Sequence, residues 1–274
     1  MTLAQLDLSR SLKKYRDRRL PSSRSGSRGP LMFIIGLCSL SAGPLSAAPL
    51  SPPPARLAVP ATGGQGSARA AATTTAPTAE AVAMLDKIQQ FYDSAQTFQA
   101  RFHQRYHYRI YRRVKHSVGR VFFRKPGMMR WDYETPTQRL FISDGETLWV
   151  YEPEDAQAFR RALRDAQLPV SLRFLSGEGR LADDFHPALG EPIEGHPGLV
   201  NLELTPKAET QQDYQRLQLL AEPETGRIRV SILIDGVGNR NEIIFREVVV
   251  NQPLPDRGFR FTPPEGVEII ENRR

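Results

Sequence analysis

One stretch decides the fold class: Ile228-Arg229-Val230-Ser231-Ile232-Leu233-Ile234-Asp235-Gly236. Its apolar side chains recur at every second position, which is the spacing of one face of a β-strand. The Asp-Gly pair at its end is a turn signal typical of a hairpin. The stretch therefore predicts a strand that buries one face and ends in a tight turn.

The same alternation runs along most of the chain after residue 128. Apolar residues two positions apart occur at Met129, Trp131 and Tyr133, at Leu140 and Ile142, at Val200, Leu202 and Leu204, at Leu217 and Leu219, and at Phe259 and Phe261. Turn residues separate these runs, as at Lys125-Pro126-Gly127, Ser143-Asp144-Gly145 and Glu222-Pro223-Glu224-Thr225-Gly226. A meander of antiparallel strands is the expected result.

Two segments, 147–151 and 242–245, are apolar on both faces. Strands of a sheet with one face in water do not show this pattern, so we expect something to cover the second face. A long meander with one or two helices predicts a strongly curved sheet or an incomplete barrel, whose concave side can hold an apolar ligand.

Helical spacing appears in two places. Apolar residues three or four apart predict an amphipathic helix of three to four turns at Met84, Leu85, Ile88, Phe91 and Tyr92. A second helix is expected near residues 170–175, with Leu172 against the sheet. Residues 154–168 are ambiguous.

The N-terminal part has the composition of an export signal. Eight Lys and Arg residues in the first thirty positions precede the apolar run from Leu31 to Leu40, and small residues follow at 46–48. The run is shorter than the roughly 20 residues that span a membrane. We expect a cleaved signal peptide over 1–48, a disordered Pro/Ala/Thr-rich linker over 49–79, and one domain over 80–274.

The net charge of +7 lies in the N-terminal part. Residues 1–79 carry a net charge of +8 and residues 80–274 a net charge of −1. A nearly neutral domain lacks the basic footprint of a nucleic-acid-binding protein, so no nucleic acid partner is expected. The single cysteine, Cys38, excludes an internal disulfide and a cysteine-based zinc site.

Candidate catalytic residues are scarce. His103 and His107 stand four apart, but Gln104 occupies the place of the glutamate of the zincin motif. If this stretch is a strand, the two rings do not converge on one metal ion. The chain contains no Gly-x-Ser-x-Gly elbow, P-loop or Gly-x-Gly-x-x-Gly. We expect no catalytic residue, no metal and no cofactor.

Aromatic residues are dense between Phe91 and Trp131, with Phe98, Phe102, Tyr106, Phe122, Phe123 and Met129 between them. Packed aromatic residues are ordinary core, and composition alone favours that interpretation. The functional alternative is the lining of a lipid cavity.

Seven segments in order along the chain bear on this choice. They are Leu85–Ile88, Phe98–Gln104, Phe123–Gly127, Arg130–Tyr133, Ser143–Tyr151, Leu204–Ala208 and Phe259–Val267. Together they resemble the periplasmic outer-membrane lipoprotein carrier family (LolA). The resemblance implies a mainly β (α+β) fold, an unclosed antiparallel β-barrel with a helical lid over a hydrophobic cavity.

The resemblance also implies the site. The expected lining of the acyl-chain cavity and lid is Leu85, Ile88, Phe91, Phe102, Phe123, Met129, Trp131, Leu148, Val150 and Leu172. In the family an arginine directly before the motif proline holds the lid shut. Here Lys125 stands at that position with Arg124 beside it, and either one is a candidate for the lid-closing contact.

The function implied is that of a monomeric periplasmic chaperone. It would take triacylated lipoproteins from an inner-membrane ATP-driven release complex and pass them to an outer-membrane receptor. Two alternatives remain: a lipidated outer-membrane receptor or envelope-stress sensor of the same fold, and a metal-dependent envelope hydrolase using His103 and His107.

Overall fold

The computed structural model describes residues 77–165, 179–207 and 214–271. Helix α1 spans Ala79–Ser94 and the four-residue helix α2 spans Leu181–Asp184. The strands are β1 Thr97–Tyr108, β2 Arg113–Arg124, β3 Met128–Thr135, β4 Arg139–Asp144, β5 Thr147–Glu152, β6 Gln157–Ala162, β7 Phe185–Leu189, β8 Val200–Pro206, β9 Tyr214–Ala221, β10 Ile228–Asp235, β11 Arg240–Val250 and β12 Glu268–Glu271. Two 3₁₀ turns cover Leu163–Asp165 and Asp256–Phe259.

All of the described strands form one sheet in the order β12-β6-β5-β4-β3-β2-β1-β11-β10-β9-β8-β7. Neighbouring strands are antiparallel except for the parallel pair of β6 and β12. Because β7 and β12 are edges of the described sheet, the sheet is not closed. The prediction of a mainly β fold with an unclosed antiparallel sheet is confirmed. No helix within the described residues is long and apolar enough to cross a membrane.

One face of the sheet packs on α1 in a single apolar cluster, called the inner cluster below. It includes Leu148 of β5 and Leu202 of β8. These strands are eight spacings apart in the sheet, which is about 38 Å if the sheet were flat. A helix is only about 10 Å in diameter. The sheet must therefore curl around α1, which makes its inner face concave.

Helix α1 begins where its sequence supplies a cap. The Thr78 hydroxyl accepts a hydrogen bond from the Ala81 amide at 3.2 Å, and Glu80 lies in the first turn, where a negative charge favours the helix dipole. The residues that α1 buries follow the expected helical spacing: Ala81, Met84, Leu85, Ile88, Gln89 and Tyr92. The first predicted helix is confirmed.

The outer face of β2 to β5 is covered by the C-terminal segment. Phe259 packs with Phe122 and Leu254, and Phe261 lies 5.2 Å from the Tyr151 ring. The strand predicted at Phe259 and Phe261 is wrong: Phe259 ends a 3₁₀ turn, and no strand forms around Phe261. The flanking prolines at 253, 255, 263 and 264 cannot donate to a sheet ladder, so the segment lies across the strands instead of joining them.

A second cover lies over β9 to β11. Ile244 shares an outer cluster with Leu220, Val230 and Ile232, and Ile193 and Leu199 from the loop between β7 and β8 pack against it. Both segments that are apolar on two faces therefore have each face covered, as the sequence pattern predicts.

Several predictions fall outside the described residues. They are the signal peptide over 1–48, the linker over 49–79 apart from its last three residues, and the second helix near 170–175 with Leu172. The ambiguous region 154–168 contributes β6.

Gly119 on β2 has no room for a side chain. A Cβ there would lie 2.1 Å from the Asp132 carbonyl oxygen and 2.8 Å from the Phe102 ring. We expect Gly119→Ala to lower the free energy of unfolding by about 2 to 3 kcal/mol, because the backbone at Asp132 or the Phe102 ring must move to make room for the new methyl group.

Urea unfolding of this variant beside Gly198→Ala tests the contact. Gly198 has positive φ and no atom within 4 Å of its would-be Cβ, so its substitution should cost only about 1 kcal/mol. Equal losses in the two variants would contradict the packing of Phe102 over Gly119.

Candidate functional site: the covered concave face

Helix α1 and the concave sheet meet through the apolar stripe of α1. Leu85, Ile88 and Tyr92 are 2%, 0% and 2% exposed, and all three belong to the inner cluster. An apolar ligand on this face would bury the same side chains of the sheet that α1 buries. The stripe of α1 therefore occupies the place that such a ligand would need.

The sheet side of this contact is aromatic. The Phe102 ring lies 5.1 Å from Trp131 and 4.9 Å from Tyr133, and the Phe123 ring lies 6.0 Å from Trp131. All four rings are buried in the inner cluster. These edge-to-face pairs form a continuous apolar wall on β1, β2 and β3.

The structure brings together the predicted lining residues that it describes. Seven of them are buried members of the inner cluster: Leu85, Ile88, Phe102, Phe123, Met129, Trp131 and Leu148. Phe91 and Val150 are partly buried and pack against that cluster. Leu172 lies outside the described residues. These positions therefore share one surface, while their role toward a ligand remains a proposal.

The two candidates for the lid contact differ in what they bind. The Lys125 ammonium donates to the carbonyl oxygens of Tyr92 at 2.7 Å and Asp93 at 3.1 Å, in the last turn of α1. A cation at a helix C-terminus is favourable because the last carbonyls lack partners and carry the negative end of the dipole. Burial lowers the pKa of Lys125. Arg124 instead donates to the Leu254 carbonyl oxygen and to Asp256.

Other contacts of α1 were not anticipated from the sequence. Lys87 donates to the Pro223 carbonyl oxygen at 2.7 Å, and the Tyr92 hydroxyl accepts from the Ile228 amide at 3.3 Å. Gly226, with φ of +75°, lets the turn approach the Lys87 backbone closely. The sequence marks 222–226 as a turn, but nothing in it indicates that this turn touches a helix more than 130 residues away.

The concave face is polar at its other end. Gln104 is buried on β1 and donates to the Asn241 side chain at 2.8 Å. A small open cleft beside it is lined by Lys115, Ser117, Tyr133, Pro136, Thr137, Arg139 and Phe141. The inner face thus changes from apolar near Lys125 to polar near this cleft.

The histidine pair does not form a metal site. His103 and His107 both lie on β1, where residues four apart are about 13 Å from each other. Within the described residues no group of three or more His, Cys, Asp and Glu side chains is arranged to hold a metal ion. The strand, which the sequence favoured here, separates the two rings.

Comparison with known proteins gives the family. The family model described as outer membrane lipoprotein carrier protein LolA matches residues 93–262. The chain belongs to the LolA family. The match begins in the last turn of α1, so most of the helix that covers the concave face lies before the matched residues.

Curated relatives within the LolA family carry the name outer-membrane lipoprotein carrier protein. One from Nitrosomonas europaea is 31% identical over 185 residues, which are 68% of this chain and 87% of the relative. Another from Azotobacter vinelandii is 31% identical over 192 residues, with the same coverage of 68% and 87%.

Solved structures of similar proteins include a LolA superfamily protein from Nitrosomonas europaea, at 16% identity and a TM-score of 0.38, covering 66% of this chain and 97% of that one. MucB is similar at 17% identity and a TM-score of 0.41, with coverage of 68% and 64%.

Glu222 stabilises the turn that contacts α1, and its contribution depends on pH. Burial alone would raise its pKa, but hydrogen bonds from Arg227 at 2.7 Å and Arg229 at 3.0 Å outweigh burial. Together with Thr225, they lower the pKa from 4.5 to about 2. The ionised carboxylate therefore stabilises the fold above pH 4.5, and this stability is lost as the pH falls toward 2.

We expect Glu222→Gln to flatten the pH dependence of the free energy of unfolding in that window, measured by urea unfolding at several pH values. Glu224→Gln, in the same turn and exposed, is the matched control and should keep the slope of the unaltered protein. If both variants keep that slope, Glu222 does not have the assigned role.

Proposed function

We propose that this chain is a periplasmic carrier that binds the acyl chains of lipoproteins released from the inner membrane and delivers them to an outer-membrane receptor. Membership of the LolA family and the names of the relatives support lipoproteins as the cargo. The observation that carries the proposal is the concave aromatic face, which the amphipathic helix α1 covers. Acyl burial requires neither a catalytic residue nor a cofactor.

The energetics of acyl chains explain why such a face is needed. Burying one methylene contributes about 0.8 kcal/mol, so exposing a chain of about sixteen carbons to water costs on the order of 12 kcal/mol. A carrier in water must hide that surface. Phe102, Trp131 and their neighbours provide an apolar wall that is itself out of water when no cargo is bound.

Helix α1 then acts as the competitor of the cargo. Its stripe of Leu85, Ile88 and Tyr92 covers the wall in the closed form, so the cargo must displace this stripe to bind. The net affinity is the free energy of burying acyl chains minus that of burying α1 and of its polar contacts at Lys125 and Lys87. Because the loss of the α1 contacts offsets part of the free energy of acyl burial, binding stays reversible. A carrier needs reversible binding to deliver its cargo.

The cellular location follows from the same proposal. The basic segment, the apolar run and the small residues before position 49 support export with cleavage of a signal peptide. An inner-membrane ATP-driven complex is the expected donor and an outer-membrane receptor the expected acceptor. The rival hydrolase loses support because His103 and His107 lie far apart along β1.

The direct test is capture of cargo by the protein and by Leu85→Glu. The variant places a charge in the apolar stripe of α1, where a charge is costly against apolar side chains, so the closed form that competes with the cargo is weakened and the variant should recover more triacylated protein than the unaltered protein does. The measurement is mass spectrometry of lipoproteins that copurify from envelope extract.

Val82→Glu is the matched control, since Val82 lies on the same helix and is 41% exposed. It should capture lipoproteins as the unaltered protein does. Absence of triacylated proteins from the unaltered protein would overturn the proposed function, whereas equal capture by a folded Leu85→Glu variant would overturn the assignment of the lid.

Lys125→Met should shift the carrier toward its loaded form. Loss of the two hydrogen bonds to the end of α1 weakens the closed form, so cargo should bind about fivefold more tightly, the factor that corresponds to about 1 kcal/mol. Transfer of cargo to receptor-containing membranes should slow to a similar degree. Arg124→Gln, whose contacts lie on Leu254 and Asp256, should change neither quantity. Weaker binding by Lys125→Met would contradict the role of Lys125 in closure.

A further inference from the structure

Large apolar side chains are exposed where two hairpins meet. The hairpin tips are residues 108–115, between β1 and β2, and residues 236–239, between β10 and β11. Ile110, Tyr111 and Val237 are 74%, 64% and 56% exposed, and Val114 is 45% exposed. The Arg109 amide donates to the Asn239 side chain at 2.9 Å, and the Arg109 guanidinium donates to the Val237 carbonyl oxygen at 3.3 Å. The two tips therefore form one surface.

This surface is strongly basic. No Asp or Glu occurs between residues 94 and 131, while residues 108–115 contain Arg109, Arg112, Arg113 and Lys115. In the described structure no carboxylate forms an ion pair with Arg112, Arg113 or Lys115. Asp235, at the base of the second tip, is engaged by the amides of Val237 and Asn239.

We propose that the hairpin tips dock on an anionic phospholipid surface. Tyrosine and branched apolar side chains favour the boundary between headgroups and acyl chains, and nearby Arg and Lys are attracted to anionic headgroups. Ile110 and Tyr111 lie in the turn and are flanked by Arg109, Arg112 and Arg113. A protruding apolar tip inside a ring of positive charge fits a lipid surface.

Other occupants fit less well. A second copy would bring the same unpaired positive charges together, which is repulsive. An acidic protein would satisfy the charges but would leave Ile110 and Tyr111 without an apolar partner unless it also offered a pocket for them.

Docking at this end would orient the concave face. Gln104 and the cleft at Tyr133 lie toward the hairpin tips. Lys125 and the end of α1 lie at the other end of β2, a strand about 36 Å long. The polar end of the inner face would then face the membrane. This surface does not depend on lipoprotein binding, so its test is separate from that of the proposed function.

The first experiment measures cosedimentation of the full chain with vesicles of phosphatidylcholine, with and without about one third phosphatidylglycerol. The N-terminal segment is also basic, so the comparison is between variants of the same full chain. Arg112→Gln/Arg113→Gln should bind anionic vesicles about thirtyfold more weakly, and Ile110→Ser/Tyr111→Ser about tenfold more weakly. The controls are Arg257→Gln/Arg260→Gln and Ile269→Ser, which change exposed residues away from the tips and should bind as the unaltered chain does.

The second experiment asks whether the tip enters the lipid. The fluorescence of Tyr111→Trp, after subtraction of the signal of the unaltered chain, should be quenched by lipids brominated on their acyl chains. Ile269→Trp should not be quenched. Equal vesicle binding by the tip variants and the controls would overturn the proposal. Binding that depends on the arginines alone, with no quenching at position 111, would overturn the part of the proposal in which Ile110 and Tyr111 enter the lipid.

Discussion

The burial of one apolar face by one helix is the constraint on which the rest of the structure depends. A sheet of this width can share a single cluster with α1 only if it curls, and the curling makes the inner face concave. The concave wall is aromatic, so exposing it to water would cost free energy. Helix α1 covers it with Leu85, Ile88 and Tyr92. The same burial that completes the fold also occupies the surface on which an acyl chain would bind.

The outer face of the sheet is covered by segments other than α1. Phe259 and Phe261 cover the outer face of β2 to β5, and Ile193 and Leu199 cover the outer face of β9 to β11. The buried ion pair of Arg130 with Asp132 lies on that side too, where the Gly258 carbonyl oxygen accepts a further hydrogen bond from Arg130. This hydrogen bond ties the cover to β3, and opening the cover would break it. Movement is therefore expected on the inner side, at α1, whose polar contacts include Lys125 at its last turn and Lys87 near its middle.

Sequence patterns predicted what depends on local spacing. The period of two at Met129 and Trp131 and the helical spacing at Leu85 and Ile88 placed these residues on the faces that the structure buries together. The patterns could not choose between Lys125 and Arg124, because Arg124 ends β2, Lys125 begins the turn after it, and only the position of α1 decides which of them meets the helix carbonyls. They also failed at Phe259 and Phe261, where period two was outweighed by flanking prolines. The contact of the 222–226 turn with Lys87 depends on tertiary packing, to which no local signal points.

The contacts that hold α1 divide into two kinds, and under the proposed function this division would let one helix serve both as core and as lid. The apolar stripe contributes most of the burial, but an acyl chain can replace it with surface of the same chemistry, so exchanging one for the other changes the free energy little. The polar contacts cannot be replaced by lipid: the Lys125 ammonium and the Lys87 ammonium bind backbone carbonyls of α1 and of the β9–β10 turn, respectively. If the apolar contributions nearly cancel in this way, the proposed carrier would depend on these hydrogen bonds for the balance between its closed and loaded forms. A substitution at Lys125 can therefore alter the affinity for cargo without touching a single residue of the apolar wall.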